Sequence, residues 1–416
     1  MKETIALKKM PGWLLTALLV VLLYLCRDSM FAGTVLGFYP SQFLLLAVAV
    51  VLGLGFLVSA RGQWRQVFRD RRLLLMGASC AVCLLPMVGK GDWQLMYCSV
   101  LFCLLLGIFF TFFTDLKTAA RCYVGILAVL AVYSVLAAYL LRLAVDGGIV
   151  SMPVFYNGHE IKFYNFFLSI VPDTYVKDRN FGIFREPGVY QFFLLLALYL
   201  NNDLLTWDRP WKQWVLNGIF GVTMISTFAT GGVIEMGLLA VLLFFEKKWY
   251  QNPRLRLAAM GLTLGLVAVV LYCVVTKNGL YWAAYDMLYG KFLGDNESGP
   301  DRIQSITGNL RLFAGSPLVG RDLETVLHVS LNNTSSTGIL LAGFGILMGA
   351  VHVLAWAALV WRRGRPVGAN LAYLVILFMS FNTQNMIADV FLWLFPMMAL
   401  AEKTLPLLAG KDRKAD

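Results

Sequence analysis

Apolar residues along this chain come in long blocks, separated by short polar connections, rather than in stripes of helical or strand period. A helix that crosses a bilayer needs about 20 mostly apolar residues, because unpaired backbone groups are intolerable in lipid. The blocks predict about twelve such helices, near 13–26, 41–60, 73–88, 93–114, 122–145 and 187–205, then 213–228, 232–245, 258–275, 336–361, 369–381 and 386–401. Several fall short of a full span. The first follows Lys8 and Lys9 as a signal peptide would, but no small-x-small pattern comes after it and LYLC before Arg27 is a poor lipoprotein signal. It is expected to be a retained helix.

Two predicted pairs are interrupted where a continuous span would be expected. The stretch 211–245 is too long for one helix and short for two, and its middle reads STFATGGVIEMG, with Thr227, Thr230, Gly231 and Gly232 marking a turn. The pair over 369–401 breaks at SFNTQNMIAD, with Asn382, Thr383, Gln384, Asn385 and Asp389. Polar, non-helical backbone at membrane depth is tolerated where protein buries it or water fills a cavity, so two breaks facing one side predict a shared vestibule. Glu235 lies three residues inside the eighth segment, and an intramembrane carboxylate is a functional candidate, the alternative being a structural partner for an arginine.

Charge fixes the expected orientation. The basic connections RGQWRQVFRDRR (61–72), EKKWYQNPRLR (246–256) and WRRGRP (361–366), with both termini, alternate correctly if all face the cytoplasm. The segments so assigned hold 23 of the 35 Lys and Arg but 9 of the 24 acids. The formal charge of +11 is therefore read as the positive-inside signature and attraction to anionic lipid, and nucleic acid is not an expected partner. Two long connections, 146–186 and 276–335, then fall on the outer face, where function concentrates.

Composition agrees: 59% of the 416 residues are hydrophobic and 14% charged, unlike a soluble domain. All seven cysteines lie in or beside apolar segments as small hydrophobes, and the Cys80-x-x-Cys83 pair lacks further ligands at zinc spacing.

The first long connection mixes charge with aromatic rings and ends in RNFGIFREPGVYQFFLLLALYL (179–200), three charges at the threshold of a wholly apolar run. Aromatic rings stack on sugar faces and sit well at headgroup level, while guanidinium forks match phosphate oxygens. A phospholipid-linked sugar needs both. The run Arg179-x-x-Gly182-x-Phe184-x-Glu186-Pro187-Gly188 resembles the end of the main external loop in bacterial O-antigen and exopolysaccharide polymerases (Wzy-type). The stretch 301–349, with Arg302, Arg311, Pro317, Gly320, Asn332 and Gly345, is similar to that family's second external loop. STFATGG matches the family's Thr-x-Ser-Arg-Gly at Thr227 and Gly231 but not at Ala229 and Thr230. The resemblance covers roughly residues 120 to 400.

What the resemblance implies is an all-α polytopic membrane protein of GT-C-like architecture. Its expected reaction is metal-independent inverting glycosyl transfer between undecaprenyl-diphosphate-linked repeat units, with no cofactor. A chain-length regulator is left open as a partner. Arg179, Arg185, Arg302 and Arg311 are the candidate diphosphate ligands, since permanently charged donors best meet charge on a leaving phosphate; the competing role is snorkelling or pairing with Asp178, Glu186 or Asp301. Glu186, Glu235 and His328 compete as the base for the acceptor hydroxyl. The related O-antigen ligases use an external histidine beside the Asn-containing stretch; here His328 stands four residues before Asn332.

Other readings stay open. A lipid-linked oligosaccharide flippase would share broken helices and a charged vestibule, although no internal repeat is found; a ligase differs in its acceptor, and a receptor or scaffold would need no chemistry. His159 and His352 are expected to be solvated or structural, Asp295 and Glu297 to belong to a solvated turn, and the segments before residue 120 to carry no nameable chemistry.

Overall fold

The structure, a computed structural model, describes residues 9–61, 70–156, 161–173, 179–277, 282, 298–330 and 333–407. About three quarters of it is helical, and each of the twelve predicted segments is helical over most of its length.

In chain order the helices are α1 (Gly12–Leu25), α2 (Phe38–Ser59), α3 (Arg71–Lys90), α4 (Leu95–Phe113) and α5 (Leu116–Asp146), the last running through a π-bulge at Ala137–Leu141. There follow α6 (Pro187–Tyr199), α7 (Pro210–Ser226), α8 (Thr230–Glu246) and α9 (Pro253–Thr276). The second long connection contributes α10 (Ser298–Gly315) and α11 (Leu323–Leu327), before α12 (Ser336–Phe344), α13 (Ile346–Val360), α14 (Val367–Phe381) and α15 (Val390–Leu407). Among the described residues five helices, α2 from Pro40, α3, α4, α5 and α9, are long and apolar enough to cross a bilayer, and the chain is an all-α, membrane-embedded protein in its main body.

Two helices that are apolar all round sit at the centre rather than against lipid. From Val189 to Leu200 every residue of α6 and its extension is buried, and from Val390 to Ala399 so is every residue of α15. A helix without a polar face is a core helix when others surround it. Phe192, Phe193, Phe391, Trp393 and Trp356 interlock there. In α9, equally apolar, nearly every residue whose side chain is described is exposed, which suits lipid.

The alternation of ends predicted from charge is reproduced by contacts. Lys9 pairs with Asp115, Leu116 N–H donates to Glu402, and Arg362 pairs with Asp203, all at the end that carries the basic connections (the basic end). Lys90 donates to the carbonyls of Arg321 and Gly343 at the opposite, loop-bearing end.

Two features depart from the sequence reading. Segment 336–361 is two helices, broken at Gly345, whose φ is +82° and whose Cβ would stand 2.2 Å from the Leu318 carbonyl oxygen. Gly320, at φ +73°, lies against the Gly343 backbone in the same crossing, so the turn 317–320 packs over the break with Ile346 N–H donating to Pro317 O and Arg321 N–H to Ala342 O. These are positions that only glycine fits. The first long connection also folds a three-stranded antiparallel sheet: β1 (Val154–Tyr156), β2 (Lys162–Asn165) and β3 (Ile170–Pro172). Its order is β1-β2-β3, with Phe155 opposite Phe163 and Tyr164 opposite Val171. Phe155 and Phe163 stack, and Phe163 packs edge-on against Phe181, which ties the sheet to the charged run.

Candidate functional site

Residues 179–191 form a hub at the loop-bearing end, and each motif position there has a physical reason. Gly182 sits at φ +56°, with an added Cβ falling 2.7 Å from the Tyr190 ring. Phe184 is buried and stacks on Phe193 at 4.2 Å. Glu186 is the N-cap residue of α6 with Pro187 at its first turn, where the missing N–H costs nothing. A Cβ on Gly188 would stand 2.9 Å from the Gln384 amide nitrogen, so glycine lets the second break approach.

The charges of the hub reach three different elements. Arg179 Nε donates to the Thr227 carbonyl at 3.1 Å, on the α7/α8 break, and the neighbouring Asn180 donates from its backbone and amide to Ser226. Arg185 pairs at 2.5 Å with the buried Asp28 just beyond α1, while its backbone N–H donates to Asp28 O. The Asp28 carboxylate holds the Arg185 guanidinium above its ordinary value, so the charge is permanent. Exposed Glu186 accepts a 2.7 Å bond from Gln384 Nε2, in the α14/α15 break. Gln191, one turn further on, joins both breaks: its oxygen accepts from Gly232 N–H at 2.6 Å and its amide donates to Thr383 Oγ1.

Asp28 and its neighbours bring the segment after the first helix against the hub. Half-buried Arg27 donates to Asn385 O and is in electrostatic contact with Asp28 and Asp389. Asp389 is fully buried, with one carboxylate oxygen taking the Phe391 N–H. Two arginines and three carboxylates, Arg27, Arg185, Asp28, Asp389 and Glu186, therefore gather where α1, the hub and the second break meet. The signal for Asp28 was present in CRDSM, a charge pair at the end of the first apolar block.

The second long connection reaches the same break. Asn309 of α10 and Asn333 exchange amide bonds at 2.8 and 3.0 Å, and Ser305 bonds Ser330. Ser336, at the start of α12, donates to Gln384 O at 2.6 Å and accepts from Met386 N–H. Gln384 thus touches one long connection through its backbone and the other through its side chain.

The remaining candidates divide. Glu235 is buried on α8, one carboxylate oxygen has no hydrogen bond among the described residues, and Arg302 of α10 acts on it electrostatically. Exposed Arg311 stands nine residues, about 13 Å, further along α10 than Arg302, and its side chain makes no hydrogen bond or ion pair among the described residues. Exposed His328 closes α11, its Nδ1 2.8 Å from Glu324 O, and makes no side-chain contact with the hub among the described residues. His352 is buried among Phe378, Phe381 and Trp393, as expected of a structural histidine. His159, Asp178, Asp295, Glu297 and Asn332 lie outside the described residues.

Comparison with known proteins yields no matching family model, no matching curated protein and no matching solved structure.

Proposed function

We propose that this chain is a polysaccharide polymerase, a membrane-embedded glycosyltransferase of GT-C-like architecture with about twelve crossings and both termini in the cytoplasm. It joins undecaprenyl-diphosphate-linked repeat units at the outer face of a bacterial cytoplasmic membrane by metal-independent inverting transfer. One observation carries the reading: within eight residues, Arg179, Arg185 and Glu186 bind three separate elements, two of them helix breaks. This supports a site assembled for one substrate at the water–lipid boundary.

In this reaction the base takes the proton of the acceptor sugar hydroxyl, whose oxygen bonds the anomeric carbon as the bond from that carbon to the diphosphate breaks. The diphosphate leaves with the electron pair, on the face opposite the attack. Arg179 and Arg185 meet its growing charge, and Arg302 guides the second lipid-linked substrate's phosphates. Glu186 is the favoured base, being exposed at the hub and oriented by Gln384, with Glu235 and His328 as the other candidates. Placing both reactants in one oriented site removes most of the entropic barrier.

Deleting the gene in a producing cell tests the reading against its rivals. Loss of a polymerase leaves single repeat units and no long chains. Long chains retained on the lipid carrier would instead mark a ligase, and units trapped on the inner leaflet a flippase.

A further inference from the structure

A second charged cavity lies at the basic end, opposite the hub. It measures about 620 Å³ and opens between the end of α8 and the start of α14, lined by Asp203, Glu246, Lys247, Lys248, Arg362 and Arg365 together with apolar Leu242 and Phe245. Four cations face two carboxylates, so two positive charges are in excess.

The floor is already fixed by internal pairing. Arg365 Nε bonds Glu246 at 2.8 Å and its Nη2 bonds Asp203, while Arg362 Nη2 stands 2.8 Å from the other Asp203 oxygen. Tyr199 donates to Asp203 at 2.6 Å and Tyr373 to Glu246. Asp203 and Arg365 are almost wholly buried. Both carboxylates are thereby neutralised, and their arginines are held rigid.

The excess charge stands at the rim. Lys247 and Lys248 are exposed and their ammonium groups make no hydrogen bond or ion pair among the described residues, although they directly follow the last residue of α8. Beside them on the same helix, Leu242 and Phe245 line the same cavity, and Phe245 is 62% exposed. A cationic rim joined to an apolar wall between two helices of a membrane protein is the shape of an anionic lipid site.

We propose that this cavity binds the phosphodiester headgroup of an anionic membrane phospholipid, with Lys247 and Lys248 holding the phosphate and Leu242 and Phe245 flanking the first acyl carbons. The site is independent of the glycosyl-transfer reading. A bound lipid would tie α8, which carries Glu235, to α14, which leads into the second break. Free phosphate offers the same charge without the chains.

Thermal unfolding of the full chain in a neutral detergent tests the proposal, with added phosphatidylglycerol, phosphatidylcholine or inorganic phosphate. Phosphatidylglycerol is expected to raise the midpoint and phosphatidylcholine to leave it. The Lys247→Gln/Lys248→Gln variant, changed at two exposed positions, is expected to keep the lipid-free midpoint and lose at least about half of the rise. An equal charge removal at Arg254→Gln/Arg256→Gln is expected to keep the rise. A rise matched by inorganic phosphate and removed in the lysine variant would keep the phosphate site but overturn the lipid as its source. No rise with either ligand, a rise unchanged in the lysine variant, or an equal loss in the Arg254/Arg256 variant would overturn the site itself.

Discussion

Arg185, the seventh residue of the charged run, lies 2.5 Å from Asp28, a residue separated from it by four long apolar helices in sequence and buried beyond the end of the first helix. The pair explains how a loop charge can be carried at the edge of an apolar core. Removing one partner of a buried pair leaves the other uncompensated. Because the Arg185 side chain is 39% exposed, solvent screens part of that cost. Asp28→Asn is therefore expected to cost about 1–2 kcal/mol in thermal unfolding and to lower chain growth through the misplaced guanidinium. Combining it with Arg185→Ala should cost less than the two single changes added together.

Arg179→Ala is expected to leave membrane insertion intact, since its contact with Thr227 is one hydrogen bond among several that seat Asn180 on the same helix end. Loss of one preorganised charged donor should slow transfer by about 100-fold or more. Arg302→Ala should slow it likewise. Polymer yield measured beside membrane abundance separates activity from folding, and wild-type polymer in both variants would remove them as phosphate ligands.

Glu186→Gln is nearly isosteric and keeps an acceptor oxygen for the Gln384 amide. Its thermal midpoint should stay close to that of the wild type while chain growth stops. If activity survives Glu186→Gln and fails in Glu235→Gln, the base is Glu235.

Gly182→Ala places a Cβ 2.7 Å from the Tyr190 ring in a left-handed backbone. Destabilisation of about 2 kcal/mol or more is expected from strain and overlap, read as a lowered unfolding midpoint. An unchanged midpoint would contradict the packing described for the hub.

The small sheet carries its own pH dependence. Lys162 lies 3.1 Å from Asp173, which also accepts from Tyr164. The bond from Lys162 holds the Asp173 carboxyl below its usual range, and the same bond raises Lys162. A depressed carboxyl stabilises above its ordinary value near about 3.9, and a raised lysine below its ordinary value near about 10.4. Backbone protection of the strands 154–156, 162–165 and 170–172 should therefore be level near neutrality and fall as pH drops through the carboxyl range or rises through the lysine range. Asp173→Asn should lower the neutral plateau and flatten the acid limb.

Much of the frame was legible because it rests on local rules. Twelve apolar blocks became helices, and the charge alternation put Lys9, Asp115 and Glu402 at one end, where contacts place them. The breaks at 227–229 and 382–389 were marked by the adjoining Gly231 and Gly232 and by amide side chains that do not suit an apolar span. What the sequence did not disclose depends on distance in three dimensions. Nothing near Asp28 announces Arg185 or Asp389, and nothing in α6 reveals that it is the centre of the molecule, because a core helix and a lipid-facing helix are equally apolar. The sheet over 154–172 escaped since its strands are three or four residues long, too short for alternation to register. The Gly345 break was hidden inside a hydrophobic run, its cause being the distant Leu318 backbone.

The most direct test is to place the purified protein in liposomes with undecaprenyl-diphosphate-linked repeat units, no nucleotide sugar and excess chelator, and to separate the products by size. The account predicts a ladder of growing chains that survives the chelator and disappears in Arg179→Ala while the protein stays folded. Absence of a ladder from the wild-type protein, with the lipid-linked unit crossing the bilayer instead, would contradict it.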